Sequence, residues 1–326
     1  MTPKPSPETL RSVIAWLEDQ LPKYGGGSMY CNINGTPNFN LVGRFHENRT
    51  LIETQLREMY ANGQRHIGVI LWFMPMNWPN IPPDHTWNHT CDSYGGRLFA
   101  QHSQNVADFV RLIRQIGFEE LHFRFAPQGG VAWVANWTTW NQTQFNENAA
   151  FMHSVRALVE ADKGELRLVY DLAVEHGNEK FDTTPLHRQY CIELWRSYVT
   201  AYGPADSCGF TVIHGGAGVR AMLNRIREAG LPFPSCYCVD SYGFEYVALT
   251  GVQNELVSAG ETGKPIFLQE TFYNDPQVAT DVRRAVQETG MNLAGVYQWP
   301  IVRGTDPHSQ FYDLFPRAFD NYANLI

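Results

Sequence analysis

Two acidic residues stand at the ends of apolar segments, where packing alone gives no reason for a charge. The segment Lys264–Glu270 (KPIFLQE) has the pattern of a short buried strand, and the segment 166–174 leads directly into Glu175. Burying an ionised carboxylate is costly unless partners hold its charge. Two carboxyl groups about 5–5.5 Å apart can hydrolyse a glycosidic bond, one as nucleophile and the other as acid and then base. We predict these roles for Glu270 and Glu175, the alternative being ordinary loop carboxylates.

Several tryptophans lie where they could bind a sugar, because a flat aromatic ring can stack on the apolar face of a sugar ring. Trp299 ends the apolar segment 295–299. Trp133, Trp137 and Trp140 lie together in a polar segment, which favours a binding role for them. Packing in the protein core is the alternative for each of these side chains.

Two further side chains could donate hydrogen bonds to the nucleophile or to a sugar hydroxyl. Arg124 ends a predicted third strand, and His214 follows a predicted fifth strand. A structural ion pair and a buried, satisfied histidine are the alternatives. The pattern His85-x3-His89-x-Cys91 has a weak likeness to a metal site, but its segment is rich in Pro and Asn and no helix aligns the two histidines. We expect no metal and no cofactor.

The elements that must position these residues alternate along the chain. An N-terminal helix is predicted at about 7–20, with a stripe of Leu and other aliphatic residues. Strands are predicted at 28–33, 66–73, 120–126, 166–174, 209–213, 235–241, 265–270 and 293–299. Helices are predicted at 48–62, 103–116, 147–162, 185–202, 217–229, 246–260, 276–289 and 310–324.

Eight strands, each followed by a helix, predict a single (β/α)8 TIM barrel over residues 1–326. The rival is an open doubly wound sheet, whose dinucleotide-binding glycines follow an early strand. Here Gly25–Gly27 precede the predicted first strand, so this marker is missing. Two loops are long, at 74–102 after the second strand and at 127–146 after the third. In a barrel such loops lie at the C-terminal face, where active sites are found.

Four short segments resemble those of the clan A retaining glycoside hydrolases, a superfamily of (β/α)8 barrels. They are Val169–Glu175, Val239–Tyr242, Lys264–Glu270 and Gln298–Trp299. The resemblance implies an acid/base glutamate on the fourth strand and a nucleophilic glutamate on the seventh. It also implies that Tyr242 hydrogen-bonds the nucleophile and that Trp299 floors the subsite of the sugar that is attacked.

One residue departs from the clan A pattern. Val174 stands where the clan has an Asn that contacts the sugar 2-hydroxyl, directly before the acid/base. The dipeptide Asn178–Glu179 contains the missing pair, which keeps Glu179 as an alternative acid/base and Asn178 as a candidate sugar ligand. The departure also leaves open a carbohydrate-binding barrel that has lost turnover. A metal-dependent hydrolase barrel is the third hypothesis.

Composition limits the partners. The chain has 326 residues, of which 44% are hydrophobic and 18% charged, so it can bury a substantial core. A net charge of −8 argues against nucleic acid and against an anionic membrane as a partner. The six cysteines form no C-x-x-C pair. The first residues lack the apolar stretch of a signal peptide, so we expect a soluble protein, cytoplasmic unless a signal was removed. The expected partner is a carbohydrate substrate; sequence predicts no oligomeric state.

Overall fold

A parallel barrel organises the chain in the computed structural model. The structure describes residues 25–30, 41–75, 90–128, 132–213, 215–304, 316–323 and 325. Its strands are β1 (Gly25–Met29), β2 (His66–Pro75), β3 (Cys91–Tyr94), β4 (Arg97–Leu98), β5 (Glu120–Pro127), β6 (Arg167–Asp171), β7 (Ser207–Gly209), β8 (Tyr237–Asp240), β9 (Ile266–Thr271) and β10 (Leu293–Gln298).

Eight of these strands are parallel and run in the order β7-β6-β5-β2-β1-β10-β9-β8. The two ends of that order meet just beyond β7, where Val212 bridges Val239 of β8. The amide of Val212 donates to the Cys238 carbonyl at 2.8 Å, and the amide of Asp240 donates to the Val212 carbonyl at 3.0 Å. The sheet is therefore a nearly closed (β/α)8 barrel, as the sequence predicted. Its first to eighth strands are β1, β2, β5, β6, β7, β8, β9 and β10.

The described residues contain eight α-helices. They are α1 (Arg49–Ala61), α2 (Ala100–Ile116), α3 (Gln142–Asp162), α4 (Lys180–Thr183), α5 (Pro185–Tyr202), α6 (Gly216–Glu228), α7 (Glu245–Ala259) and α8 (Pro276–Thr289). Local chemistry fixes the ends of α8: the Asp275 side chain accepts a hydrogen bond from the Val278 amide at 2.9 Å, Pro276 begins the helix, and Gly290 with φ +64° ends it.

Some predicted elements differ from the observed ones. The predicted last helix at 310–324 is wrong over 316–323, which form an irregular segment and a turn, and the rest of it lies outside the described residues. The N-terminal helix predicted at 7–20 lies wholly outside the described residues. Gly25–Gly27 form β1 rather than preceding it. A side chain at Gly27 would place its Cβ 2.5 Å from the His66 carbonyl oxygen, so β1 can approach β2 closely only because Gly27 has none.

The loops after the second and third barrel strands are partly ordered into elements. Within 74–102, β3 pairs with the end of β2 and forms a hairpin with β4, so the barrel wall is extended at this point. The second loop ends earlier than predicted, because α3 begins at Gln142. Residues 76–89, which include Trp78, Trp87, His85 and His89, lie outside the described residues.

The core has two parts, as a barrel requires. The larger cluster lies between the sheet and the helices, and includes Phe123, Tyr170, Trp195 and Leu268. A smaller one lies on the inner side of the sheet and contains Met29, Ile70, Phe267, Tyr297 and Trp299. Within the described part of the chain, no helix combines the length and apolarity needed to cross a bilayer.

Candidate active site

A buried arginine stands at the centre of the candidate site. Arg124, in β5, is 0% exposed, and its Nε donates to Asp171 of the neighbouring strand β6 at 3.0 Å. Its Nη2 donates to Asp240, at the end of β8, at 2.6 Å, and its Nη1 donates to Oε1 of Glu270 in β9. Strand pairing explains the grouping, since Arg124 is in register with Asp171, and Asp240 with Glu270. Three carboxyl groups therefore meet one guanidinium at the C-terminal ends of the strands.

The charge of this arginine is secure. Burial alone would lower the pKa of Arg124, but the carboxylates of Asp240, Glu270 and Asp171 raise it well above its usual value. A guanidinium buried among charges adds little to fold stability, because desolvation offsets the attraction. Its planar donors fix carboxylate positions instead. We conclude that Arg124 orients the acidic side chains around it.

Glu270 is held by two donors, one on each oxygen. Arg124 donates to Oε1, and the phenol of Tyr242 donates to Oε2 at 2.8 Å. Burial and the nearby carboxylates of Glu270 and Asp240 raise the pKa of Tyr242 well above its usual value, so its hydroxyl keeps the proton that it donates. A carboxyl group that is 7% exposed and held on both oxygens in this way is fixed in position, as a nucleophile must be.

Glu175 reaches the same point from the loop after β6. One carboxyl oxygen each from Glu175, Asp240 and Glu270 lie within 4.8 Å of one another. The backbone of Glu175 has φ +58°, an uncommon conformation for a residue other than glycine. The Asn178 side chain donates to the Glu175 carbonyl at 2.6 Å and accepts from the Lys180 amide at 2.9 Å. Asn178 therefore braces the turn that presents Glu175.

The histidines beside this turn are neutral near neutral pH. His176 follows Glu175, and its Nδ1 lies 2.9 Å from the Val174 carbonyl; burial lowers its pKa to about 4. His187 contacts the His176 carbonyl at 3.0 Å, and burial lowers its pKa to about 3. Neither imidazole places a positive charge beside Glu175 that would favour loss of its proton.

Asp240 is a third acidic group whose role the sequence did not reveal. Its Oδ2 accepts from Arg124, while its buried Oδ1 has no hydrogen-bond partner among the described residues. Burial, together with the charges of Glu270 and Glu175, raises the pKa of Asp240 well above its usual value, although Arg124 opposes this. Asp171 and Thr211 were also not predicted from the sequence as site residues. Asp171 and Asp240 carry the same signal as Glu270, an acidic residue at the end of an apolar strand.

A series of buried, hydrogen-bonded polar side chains leads from Arg124 into the barrel interior. Gln269, which is 0% exposed, donates to Nδ1 of His122 at 2.7 Å. Its Oε1 accepts from the Thr211 hydroxyl at 2.6 Å, and Thr211 in turn accepts from Nη2 of Arg124 at 3.1 Å. Nε2 of His122 lies 3.1 Å from Oε1 of Glu120, which extends the series. The carboxylate cluster is thus connected to a hydrogen-bonded column inside the barrel.

A cavity of about 570 Å³ opens beside the cluster. Glu175, Asp240, Ser241 and Tyr242 line one end of it. A larger cavity, of about 670 Å³, lies at the opposite face of the barrel beside Phe118, Gly164 and Arg167. That face holds the segments that lead into strands rather than the strand ends that carry the chemistry of a barrel enzyme. The cavity next to Glu175 is therefore the candidate substrate site.

The other sequence-predicted site residues have diverse surroundings. Trp299 is 3% exposed and packs in the inner cluster, against which Tyr242 and Val174 also pack. Trp137 packs edge-on against Trp140 and Tyr190, at ring-centroid distances of 5.5 and 5.7 Å.

Trp133 is 45% exposed. Glu179 is exposed and is not in the group that Glu175 forms with Asp240 and Glu270. His214 lies outside the described residues.

The carboxylates of Glu175, Asp240 and Glu270 could also bind a metal ion. Their closest oxygens span at most 4.8 Å, a spacing that a cation can bridge. However, both oxygens of Glu270 already accept hydrogen bonds, and Arg124 supplies a fixed positive charge at the centre of the group. The arrangement suits a positioned nucleophile better than a cation site.

Comparisons with known proteins identify the fold. No protein-family model matches the chain, and no curated protein matches it. The GH5_18 structure from Streptomyces cattleya, solved in complex with GlcNAc, is similar, with 13% identity and a TM-score of 0.56 over 93% of this chain and 78% of that chain. The exo-β-1,4-mannosidase Op5Man5 from Opitutaceae bacterium strain TAV5 has 12% identity and a TM-score of 0.52 over 92% of this chain. This chain covers only 55% of the mannosidase.

A protein with different chemistry is also similar. The homocysteine methyltransferase MmuM from Escherichia coli has 15% identity and a TM-score of 0.51, over 92% of this chain and 97% of its own. The likeness to these structures therefore establishes the barrel fold. This fold hosts many reactions, so the reaction depends on the residues at the mouth of the barrel.

Proposed function

We propose that this chain is a retaining glycoside hydrolase that cleaves a β-linked oligo- or polysaccharide, with Glu270 as nucleophile and Glu175 as acid/base. The observation that carries the proposal is the approach of their carboxyl oxygens to within 4.8 Å. This approach is compatible with the separation of about 5–5.5 Å between carboxyl groups that direct attack needs. Two similar structures, a GH5_18 protein in complex with GlcNAc and an exo-β-1,4-mannosidase, agree with it.

In the first step Glu270 would attack the anomeric carbon. The bond from that carbon to the leaving oxygen breaks, its electron pair moves to the oxygen, and Glu175 supplies the proton. In the second step Glu175 takes a proton from water, and the water oxygen displaces Glu270 from the anomeric carbon. Two inversions give net retention, and both glutamates return to their starting states.

The surroundings support this division of labour. Glu270 receives hydrogen bonds from Arg124 and Tyr242, which hold its carboxyl group in a fixed orientation for attack. Glu175 instead faces a cluster rich in carboxyl groups, where a second negative charge is unfavourable. The developing positive charge on the sugar would lie beside the carboxyl groups of Asp240 and Glu270.

Roles in substrate binding remain part of the proposal. Trp299 would form the floor under the attacked sugar, and the exposed ring of Trp133 is available for stacking. Trp137, Asn178 and His214 are further candidates. Because Arg124 is fully buried and bonded to protein acceptors, it would act through Glu270 rather than by contact with the sugar.

A second candidate function is a carbohydrate-binding barrel without turnover. Val174 favours it, because its apolar side chain packs against the inner cluster where the clan A hydrolases have an Asn for the sugar 2-hydroxyl. The two candidates predict the same ligands and differ only in hydrolysis.

A hydrolysis screen tests the proposal. The enzyme would be incubated with a panel of aryl β-glycosides and β-linked oligosaccharides, and ¹H NMR would record the anomer that is released first. We expect the β-anomer, followed by mutarotation, and no release with Glu270→Ala. Initial release of the α-anomer would contradict the retaining mechanism. Binding without hydrolysis across the whole panel would support the second candidate.

A further inference from the structure

The cavity beside Glu175 has two chemically different parts. Its carboxyl end is lined by Glu175, Asp240, Ser241 and Tyr242. Away from that end it is lined by the side chains of Ile213, Phe244, Val247 and Ala248, and by the backbone of Gly215, Gly216 and Gly251. The described lining therefore changes from acidic to apolar within one cavity of about 570 Å³.

Two apolar side chains at this end are unusually exposed. Phe244 is 73% exposed and Val247 is 64% exposed, and they lie three residues apart where α7 begins. Both side chains line the same cavity. Large apolar side chains grouped at a cavity mouth are typical of binding sites. Their exposure therefore points to an apolar group that covers them in the bound state.

Glycines keep the far wall of the cavity free of side chains. A Cβ at Gly216 would lie 2.7 Å from the carbonyl oxygen of Gly251, and a Cβ at Gly215 would lie 2.9 Å from Cα of Ala248. The start of α6 can therefore pack directly against α7 only because these positions lack side chains. Close backbone packing gives this wall a fixed, flat shape.

We propose that the apolar part of this cavity binds an apolar aglycone, so that alkyl or aryl β-glycosides are substrates. This inference rests on the proposed function. Glu175 must protonate the oxygen of the bond that is cleaved, so the group attached to that oxygen extends along the wall that Glu175 shares with Phe244 and Val247. A second sugar there would present several hydroxyl groups to a wall whose described side chains offer them no partner. An alkyl chain or an aryl ring needs none.

The test uses two glycosides of one sugar, the sugar that the hydrolysis screen selects. An octyl β-glycoside reaches the apolar wall, whereas a methyl β-glycoside does not. We expect a higher kcat/KM for the octyl compound in the wild-type enzyme. The double variant Phe244→Ser, Val247→Ser should lower the octyl-to-methyl ratio of kcat/KM about tenfold, because apolar burial is lost.

The matched control is Val257→Ser. Val257 lies on the same helix, is 51% exposed and is not part of the cavity lining. Its substitution should leave the octyl-to-methyl ratio at the wild-type value. An unchanged ratio in the double variant, or a wild-type preference for a disaccharide over the octyl glycoside, would overturn the inference.

A binding measurement separates this inference from the proposed reaction. The neutral dye N-phenyl-1-naphthylamine fluoresces when it enters an apolar site, so its binding needs no turnover. We expect wild-type protein and Val257→Ser to bind it equally, octyl β-glucoside to displace it, and the double variant to bind it about tenfold more weakly. Dye binding of this kind without hydrolysis would reject the proposed reaction and retain the apolar site. Equal dye binding by all three proteins would reject the apolar site.

Discussion

The phenol of Tyr242 donates a hydrogen bond to Oε2 of Glu270 at 2.8 Å, on the opposite carboxylate oxygen from the one that Arg124 holds. The two donors come from different parts of the barrel, since Tyr242 follows β8 and Arg124 lies within β5. Together they restrict rotation of the carboxylate. The Glu270 carboxyl group is therefore oriented before any substrate binds.

Removing the phenolic hydroxyl of Tyr242 should loosen the orientation of Glu270. In Tyr242→Phe one donor to a charged acceptor is lost, an interaction worth about 1.5–3 kcal/mol, so we expect kcat/KM to fall about 10–100-fold. Tyr246→Phe is the control, because the Tyr246 hydroxyl bonds Glu288 near the surface. An unchanged kcat/KM in Tyr242→Phe would contradict the role of this hydrogen bond.

Removal of the proposed acid/base should depend on the leaving group. Glu175→Ala abolishes proton transfer, a loss of about 10²–10⁴ for substrates whose leaving oxygen needs protonation. Substrates with good phenolate leaving groups should largely keep their first step, as pre-steady-state release of the phenol would show. Glu179→Ala is the matched comparison and should behave as wild type. The opposite pattern in the two variants would transfer the role to Glu179.

Local patterns were sufficient to place the strands that carry Arg124 and Glu270 and the strand that precedes the Glu175 loop. Apolar runs and glycine-terminated helices are encoded within a few residues of one another, and so were visible in the sequence. The convergence of Asp171, Asp240 and Glu270 on one guanidinium was not, because it depends on which strands become neighbours when the barrel closes. The hairpin β3–β4 was hidden for the same reason, since its pairing with β2 is made by tertiary contact.

Asp240 should make stability depend on pH in a defined direction. Its pKa in the folded state is raised above the unfolded value of about 3.9, so the folded state retains a proton that the unfolded state releases. The stabilisation that Asp240 provides is therefore complete below its unfolded pKa and falls as pH rises towards its raised folded pKa. Asp240→Asn is permanently neutral and keeps an oxygen for Arg124.

Urea denaturation at pH 5 and pH 8 would measure this effect. We expect the free energy of unfolding of Asp240→Asn minus that of wild type to be larger at pH 8 than at pH 5, so that the variant gains stability relative to wild type as pH rises. An equal difference at the two pH values would show that Asp240 is ionised throughout.

The polar column below Arg124 should be sensitive to loss of its central amide. Gln269→Leu leaves Nδ1 of His122 without its donor, whereas the Thr211 hydroxyl can still donate to Asp171. An unsatisfied buried group costs about 1–3 kcal/mol, so we expect the free energy of unfolding to fall by about that amount in denaturant titrations. Gln277→Leu is the control, because Gln277 is exposed and its side chain donates to Asp281 on the same helix at 3.1 Å. Its effect should stay within about 0.5 kcal/mol, and an equal loss in both variants would contradict a structural role for the column.

The most direct test of the central claim is to trap the covalent intermediate. A 2-deoxy-2-fluoro β-glycoside with a dinitrophenolate leaving group, built on the sugar that the hydrolysis screen selects, should glycosylate the enzyme faster than the intermediate hydrolyses. Mass spectrometry of the digested protein then locates the added sugar. We predict a single label on the peptide that contains Glu270, absent from Glu270→Ala. A label on Glu175, on Asp240 or on another residue would contradict the assignment of Glu270 as the nucleophile.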